Sequence, residues 1–234
     1  MGDSFRLATF NLRHAAPPGH FARIGRAAEA CVSLRADVLA LQEVDAAAVR
    51  SFFVNQSAWI AAAVGAEWCF LPNWTHWALG RFGNALLVRG QLLDPVVVEL
   101  PGSGAARPRR ALLAEVVLVG GTRLTVAATH LDERRRSAGG TPAIRQLEAV
   151  LSVLAGCRPP LVLMGDLNLE SDSVVPLLRD TGFRWVDAGA TFPADRPKRS
   201  IDWIAAAGLS LGDAEIPAVG VSDHRPLVVT ARRC

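Results

Sequence analysis

The chain has 234 residues, half of them apolar and a fifth charged, with 25 Lys and Arg against 22 Asp and Glu. So apolar a chain is not disordered, and 20 glycines with 14 prolines are too few for a collagen-like or low-complexity one. A net charge of +3 admits an anionic substrate but is far from that of a nucleic-acid coat protein.

In chain order, residues 5–11 (Phe-Arg-Leu-Ala-Thr-Phe-Asn) predict a strand. Phe21, Ile24, Ala28, Cys31 and Val32 recur near the helical period and predict a helix over 21–35. Residues 37–42 read as a short apolar strand ending at Glu43, and 46–64 as a helix. Further strands are expected over 84–89, 94–100, 110–119 and 122–129, with Gly120-Gly121 as a hairpin turn between the last two. Residues 142–155 predict a helix with Pro142 in its first turn. Leu161–Gly165, 200–206 and 226–231 supply the late strands. Helices and strands alternate without a linker or a repeat, which predicts one domain over residues 1–234. Its expected class is α+β or α/β, a sandwich of mixed, partly antiparallel sheets with helices outside.

Several chemistries are missing. Gly102-Ser-Gly104-Ala-Ala-Arg107 fails the dinucleotide fingerprint at its last glycine, and there is no P-loop, HExxH or GxSxG motif. Cys31, Cys69, Cys157 and Cys234 form no CxxC pair, which argues against a zinc knuckle and for a reducing, cytoplasmic setting. Met-Gly-Asp-Ser does not open a signal peptide, and no apolar run approaches the length of a membrane span. Three basic clusters (Arg107, Arg109 and Arg110; Arg134–Arg136; Arg196, Lys198 and Arg199) read singly as solvated loops and together as possible contacts to a phosphate backbone.

The informative residues sit where strands start or stop. Asn11, Glu43, His130, Asp166 with Asn168, Asp202, and Asp223 with His224 are each held at such a point. Carboxylates and amides are hard oxygen donors suited to Mg2+ or Mn2+. Two imidazoles can donate to a developing negative charge, and an Asp can take a proton from water, a set that points to metal-assisted phosphoester hydrolysis.

In order along the chain, these motifs resemble the endonuclease/exonuclease/phosphatase superfamily, the deoxyribonuclease I-like phosphoesterases. The resemblance rests on Thr9-Phe10-Asn11, Leu41-Gln42-Glu43-Val44, Gly83-Asn84-Ala85-Leu86-Leu87-Val88-Arg89 and Thr129-His130-Leu131. It continues through Arg145-Gln146, Gly165-Asp166-Leu167-Asn168, Ser200-Ile201-Asp202-Trp203-Ile204 and Ser222-Asp223-His224-Arg225-Pro226-Leu227. It implies a four-layer sandwich of two mixed sheets flanked by helices. It also implies roles: Glu43 as main ligand of a divalent cation, with Asn11 close by and Asp223 in support; Asp166 orienting or deprotonating water; Asn168 positioning phosphate or that water; His130 and His224 on phosphate oxygens; Asp202 holding His224.

The chain departs from the family pattern in having no tyrosine, where several nucleic-acid-cleaving members use one near the phosphate. Arg81, Asn84 or a tryptophan are the candidates for that place. Val88 replaces a small serine, which reads as a packing change. The expected substrate is a phosphoester, with nucleic acid the first candidate and a phosphorylated metabolite or lipid head group the alternative. A catalytically inactive binding module is the third reading. No obligate protein partner is evident. Trp68, Trp74 and Trp77, with His76, read either as a pocket wall or as ordinary packing; His14 and His20 read as surface or half-buried residues, and Asp132 and Glu133 as loop charges, Asp132 with the alternative of falling near the site.

Overall fold

The computed structural model describes residues 4–75, 80–102, 108–134 and 141–233. Its elements in the first half are β1 (Ser4–Asn11), α1 (Ile24–Ser33), β2 (Val38–Ala46), α2 (Gln56–Val64), β3 (Glu67–Thr75), β4 (Arg81–Val88), β5 (Gly90–Glu99) and β6 (Arg110–Leu118). The second half adds β7 (Arg123–His130), α3 (Pro142–Ala155), β8 (Leu161–Asp166), α4 (Ser171–Leu178), β9 (Arg184–Trp185), β10 (Asp202–Ala207), β11 (Leu209–Glu215) and β12 (Leu227–Arg233). They form two six-stranded sheets, ordered β11-β12-β1-β2-β4-β3 and β5-β6-β7-β8-β10-β9. Each is mixed: β1 with β2 and β7 with β8 run parallel, and the other pairs antiparallel.

Side chains alternate faces along a strand, so each sheet presents two rows. The inward rows meet in one core that includes Phe5, Leu7, Val38, Ala40, Leu86 and Val88 from the first sheet and Leu112, Ala114, Val126, Val162 and Ile204 from the second. Outward rows are covered by helices. Ala27, Cys31 and Ile60 of α1 and α2 pack on Phe10, Leu39 and Leu87. Leu147, Val150 and Leu154 of α3 and Leu178 of α4 pack on Ala127, Leu163 and Ala205. The result is the expected helix–sheet–sheet–helix sandwich.

One expectation is corrected, and further elements were not foreseen. Residues 46–64 are not one helix. Strand β2 runs on to Ala46, a loop follows, and α2 starts only at Gln56, where the Asn55 side chain accepts a hydrogen bond from the Ala58 amide at 3.2 Å. Strand β3 was not anticipated because Pro72 interrupts its pattern; it lies at a sheet edge and bulges beside that proline, which is where a strand proline is tolerated. Strand β11, with Gly212, and helix α4, with Pro176, escaped the pattern for related reasons. The Gly120-Gly121 hairpin forms as expected, with Gly121 at φ 80°.

Candidate active site

At one end of the sandwich the inward rows change character. Following Phe5 and Leu7 come Thr9 and Asn11; following Val38 and Ala40 comes Gln42; preceding Val88 and Leu86 is Asn84. On the facing sheet, Arg110 precedes Leu112, His130 follows Ala128, Asp166 follows Met164, and Asp202 precedes Ile204. Strand register sets the second group side by side. His130 pairs with Asp166 across the parallel β7–β8 ladder, and Asp202 pairs with Asp166 across the antiparallel β8–β10 ladder. Gly165 is what lets β8 approach: a Cβ there would lie 2.0 Å from the Thr129 carbonyl oxygen.

The facing sheet supplies Asn11, whose Nδ2 donates both to Asp166 Oδ2 at 2.9 Å and to Glu43 Oε1 at 3.2 Å. Glu43 sits in a bulge of β2, where the pairing with β4 slips between Leu41 and Val44, and its backbone is left-handed at φ 56°. Asn168 is also left-handed, at φ 52°; its amide donates to Asp166 Oδ1 at 3.0 Å and its Nδ2 to the Leu131 carbonyl at 3.1 Å. Two non-glycine residues of left-handed backbone thus lie within one contact network, strain of the kind that clusters at functional sites.

The closing loop delivers His224. The Ser222 hydroxyl donates to the Asn11 carbonyl at 2.7 Å, and the His224 amide donates to Ser222 Oγ at 3.2 Å. His224 Nδ1 lies 2.9 Å from Asp202 Oδ2, which also accepts from the Thr191 hydroxyl at 2.5 Å. The Phe192 ring backs the imidazole at a centroid separation of 4.7 Å. Asp166 Oδ2 is approached by His130 Nε2 at 3.5 Å and His224 Nε2 at 3.7 Å. Asp223 pairs with Arg13 at 3.1 Å, through Oδ2 and Nε.

Burial sets the electrostatics. It pushes the Asp166 carboxyl well above the usual range, and the charge of Asp202 adds to this. It raises Glu43 as well, with Asp223 adding and Asn11 opposing. For His224, burial favours the neutral ring but is overridden by Asp202, Asp166 and Asp223, leaving a pKa of about 9. His130 goes the other way: burial, with Arg109 and His224 nearby, holds it far below the ordinary imidazole range. One imidazole is therefore cationic and the other neutral at neutral pH.

Of the residues singled out from the sequence, Asn11, Glu43, His130, Asp166, Asn168, Asp202 and His224 are linked by these contacts, and Asp223 stands beside Glu43 and His224. Asn84 is buried one row away, with neither amide atom hydrogen-bonded. Arg81 is exposed at the start of β4, outside this contact network. Trp74 packs its ring on Phe82, and Trp68 stands half-exposed on β3. His76, Trp77, Gly104, Arg107, Arg135, Arg136 and Cys234 lie outside the described residues.

The family model described as the Endonuclease/Exonuclease/phosphatase family matches residues 8–224. The chain belongs to this family. Among solved structures, an endonuclease/exonuclease/phosphatase from Beutenbergia cavernae superposes with a TM-score of 0.79 at 21% identity, covering 98% of this chain and 72% of that one. The mannosyl-6-phosphatase of Bacteroides thetaiotaomicron gives 0.75 at 15% identity, covering 97% and 99%. The catalytic domain of human Nocturnin, solved with a bound sulfate, gives 0.72 at 18% identity, covering 100% and 96%. These likenesses concern the fold. A search of curated proteins returned no match.

Members of the family are generally phosphoesterases whose fold uses a divalent metal, so the donor set bears directly on the chemistry. Donor atoms of Asp166, Asp202 and His224 all lie within 4.8 Å of one another, but a protonated His224 bound to Asp202 has no lone pair for a metal, so the oxygen donors around Asn11 are the set that matters. Glu43, half-buried, and Asp166, buried, are two carboxylates that share Asn11 as a donor, hard oxygen ligands whose mutual repulsion a divalent cation relieves. The residues present therefore fit a divalent cation.

Three participants were not read from the sequence as site residues. Arg109, read there as loop charge, is 7% exposed and lies within electrostatic reach of Asp132, Asp166, Glu133 and Glu43. Thr191 steadies Asp202, and Arg13 pairs Asp223. For Arg109 the usable signal was its place one residue before a strand whose inward row leads into the site; Thr191 and Arg13 had none.

Proposed function

We propose that this chain is a divalent-cation-dependent phosphoester hydrolase, a phosphodiesterase for which nucleic acid is the first substrate to test. The observation that carries the reading is the buried contact network around Asp166, where a carboxylate of raised pKa meets one neutral and one cationic imidazole. Glu43, with Asn11 and Asp223 beside it, would hold Mg2+ or Mn2+, which would supply positive charge against the phosphoryl oxygens. Asp166 orients the attacking water and takes its proton, a task suited to a carboxyl whose pKa is shifted toward neutrality. His224, kept protonated and aimed by Asp202, donates to a phosphoryl oxygen as negative charge builds there, and His130 donates from the other side. Asn168, fixed by its left-handed turn and the Leu131 carbonyl, positions phosphate or water, and Arg109 adds a buried positive charge within electrostatic reach of Asp166 and Glu43. Asn84 or Arg81 takes the place near the phosphate where several nucleic-acid-cleaving members of the family carry a tyrosine.

A second reading keeps the chemistry and replaces nucleic acid by a small phosphorylated metabolite or lipid head group. The absence of tyrosine favours it. The deciding experiment measures Mg2+- and Mn2+-dependent, chelator-sensitive cleavage of plasmid, oligonucleotide, bis(p-nitrophenyl) phosphate and p-nitrophenyl phosphate. Cleavage of the diesters supports the first reading. Activity confined to monoesters moves the chain to the second, and no turnover of any substrate by folded, cation-loaded protein overturns both.

A further inference from the structure

We propose that the loop over residues 47–54 and the outward face of helix α2 form a docking surface for an anionic lipid membrane, beside the catalytic end of the sandwich. Strand β2 carries the chain from Glu43 into this loop within three residues, and the Ala46–Asn55 bridge closes its base. The loop is internally fixed. The Phe53 amide donates to the Ala48 carbonyl at 2.9 Å, the Val54 amide to Ser51 at 3.1 Å, and the Ala47 amide to Val54 at 3.2 Å. This fixed turn nonetheless directs its apolar side chains into water: Val49 is 64%, Phe52 66% and Phe53 59% exposed. Phe52 and Phe53 also sit in successive left-handed conformations, at φ 56° and 59°, which bulky side chains disfavour.

The adjoining helix repeats the pattern. A surface helix of a water-soluble domain ordinarily turns charged residues outward. Helix α2 turns out Trp59, Ala62 and Ala63, spaced three and four apart, with Trp59 53% exposed. No Asp or Glu occurs in residues 46–66, and the acid just before them, Asp45, is fully buried and doubly bonded by Arg50 at 2.7 and 2.8 Å. Exposed Arg81 stands across the ladder from Ala46 at the loop's base. Exposed phenylalanine and tryptophan rings, with Arg50 already neutralised by Asp45 and Arg81 as the cation at the loop's base, make the composition of an interfacial membrane contact: the rings enter the head-group region while Arg81 meets lipid phosphate.

The test is co-sedimentation of the purified full chain with vesicles, a readout independent of hydrolytic activity. Wild type should sediment with mixed phosphatidylcholine–phosphatidylglycerol vesicles and far less with phosphatidylcholine alone. The double variant Phe52→Asn/Phe53→Asn suits this test because asparagine tolerates the left-handed backbone. It should lose at least about tenfold in partitioning, the least expected from withdrawing two partly inserted rings from the interface. Trp59→Gln, on the helix, should lose a smaller part, and circular dichroism should show both variants folded. Absence of wild-type binding overturns the proposal, as does equal binding by the double variant. Concentration-dependent dimerisation of wild type that the double variant abolishes also overturns it, by assigning the surface to a second copy.

Discussion

The two ends of the layer between the sheets are built on the same strands and facing rows, yet they differ in chemistry. At one end Leu7, Val38, Val88, Leu124 and Val162 close on one another. At the other, the same rows hold Asn11, Gln42, Asn84, His130, Asp166 and Asp202, all nearly as buried. Burying each large aliphatic chain at the first end stabilises the fold by about 1.5–3 kcal/mol. At the second end, burial leaves Asn84, Gln42 Nε2, His130 Nδ1 and Asp202 Oδ1 without hydrogen-bond partners, and each such atom costs roughly 1–3 kcal/mol. The apolar end secures the sheets firmly enough for the polar end to remain water-poor and charged, the condition in which fixed donors act most strongly on a reacting phosphate.

That contrast can be broken at either end. Asp166→Asn should lower turnover about 10²–10⁴-fold, the usual weight of a general base, while the melting temperature stays level or rises because a buried carboxylate is removed. Parallel kinetics and calorimetry check this, and a melting temperature that falls with activity would contradict it. Leu124→Ala at the closed end should do the opposite, losing about 2–5 kcal/mol of unfolding free energy in denaturant titration with turnover per folded molecule retained.

The polar end also responds to pH. In metal-free protein, NMR titration should place His224 near 9, falling toward the ordinary imidazole value in Asp202→Asn. Because the folded-state pKa is raised, the imidazolium's stabilisation is complete below the unfolded value of about 6.5 and is lost as pH rises through about 9. The smallest effect concerns the outer face of the first sheet, where burial pushes the Cys31 thiol to about 12. Cys31 should stay unreactive toward a disulfide reagent at pH 8 until the chain unfolds, as counting modified thiols would show.

Much of this was legible in the sequence because strand ends are legible. An apolar run stopping at Asn11, His130 or Asp166 marks both a sheet edge and a polar side chain on a rigid base, and register does the rest. The stretch 46–64 was illegible for an instructive reason. Val49, Phe52 and Phe53 stand at helical spacing, and periodicity reports that residues share a face without saying whether protein covers it. Here the face points to water. Arg109 was lost among its basic neighbours because composition cannot separate a solvated guanidinium from one folded over a strand end. The hydroxyl of Thr191 reaches Asp202 only through a loop whose path no local pattern encodes.

The most direct measurement is the initial rate of phosphodiester cleavage across a Mg2+ titration, for wild type and Glu43→Gln side by side. A saturable, chelator-reversible rate in wild type, with a much weaker apparent Mg2+ affinity and at least about tenfold lower turnover in the variant, is the predicted result. Equal rates with and without the cation, or equal behaviour of the two proteins, would contradict the view that this polar end is a cation-dependent hydrolytic centre.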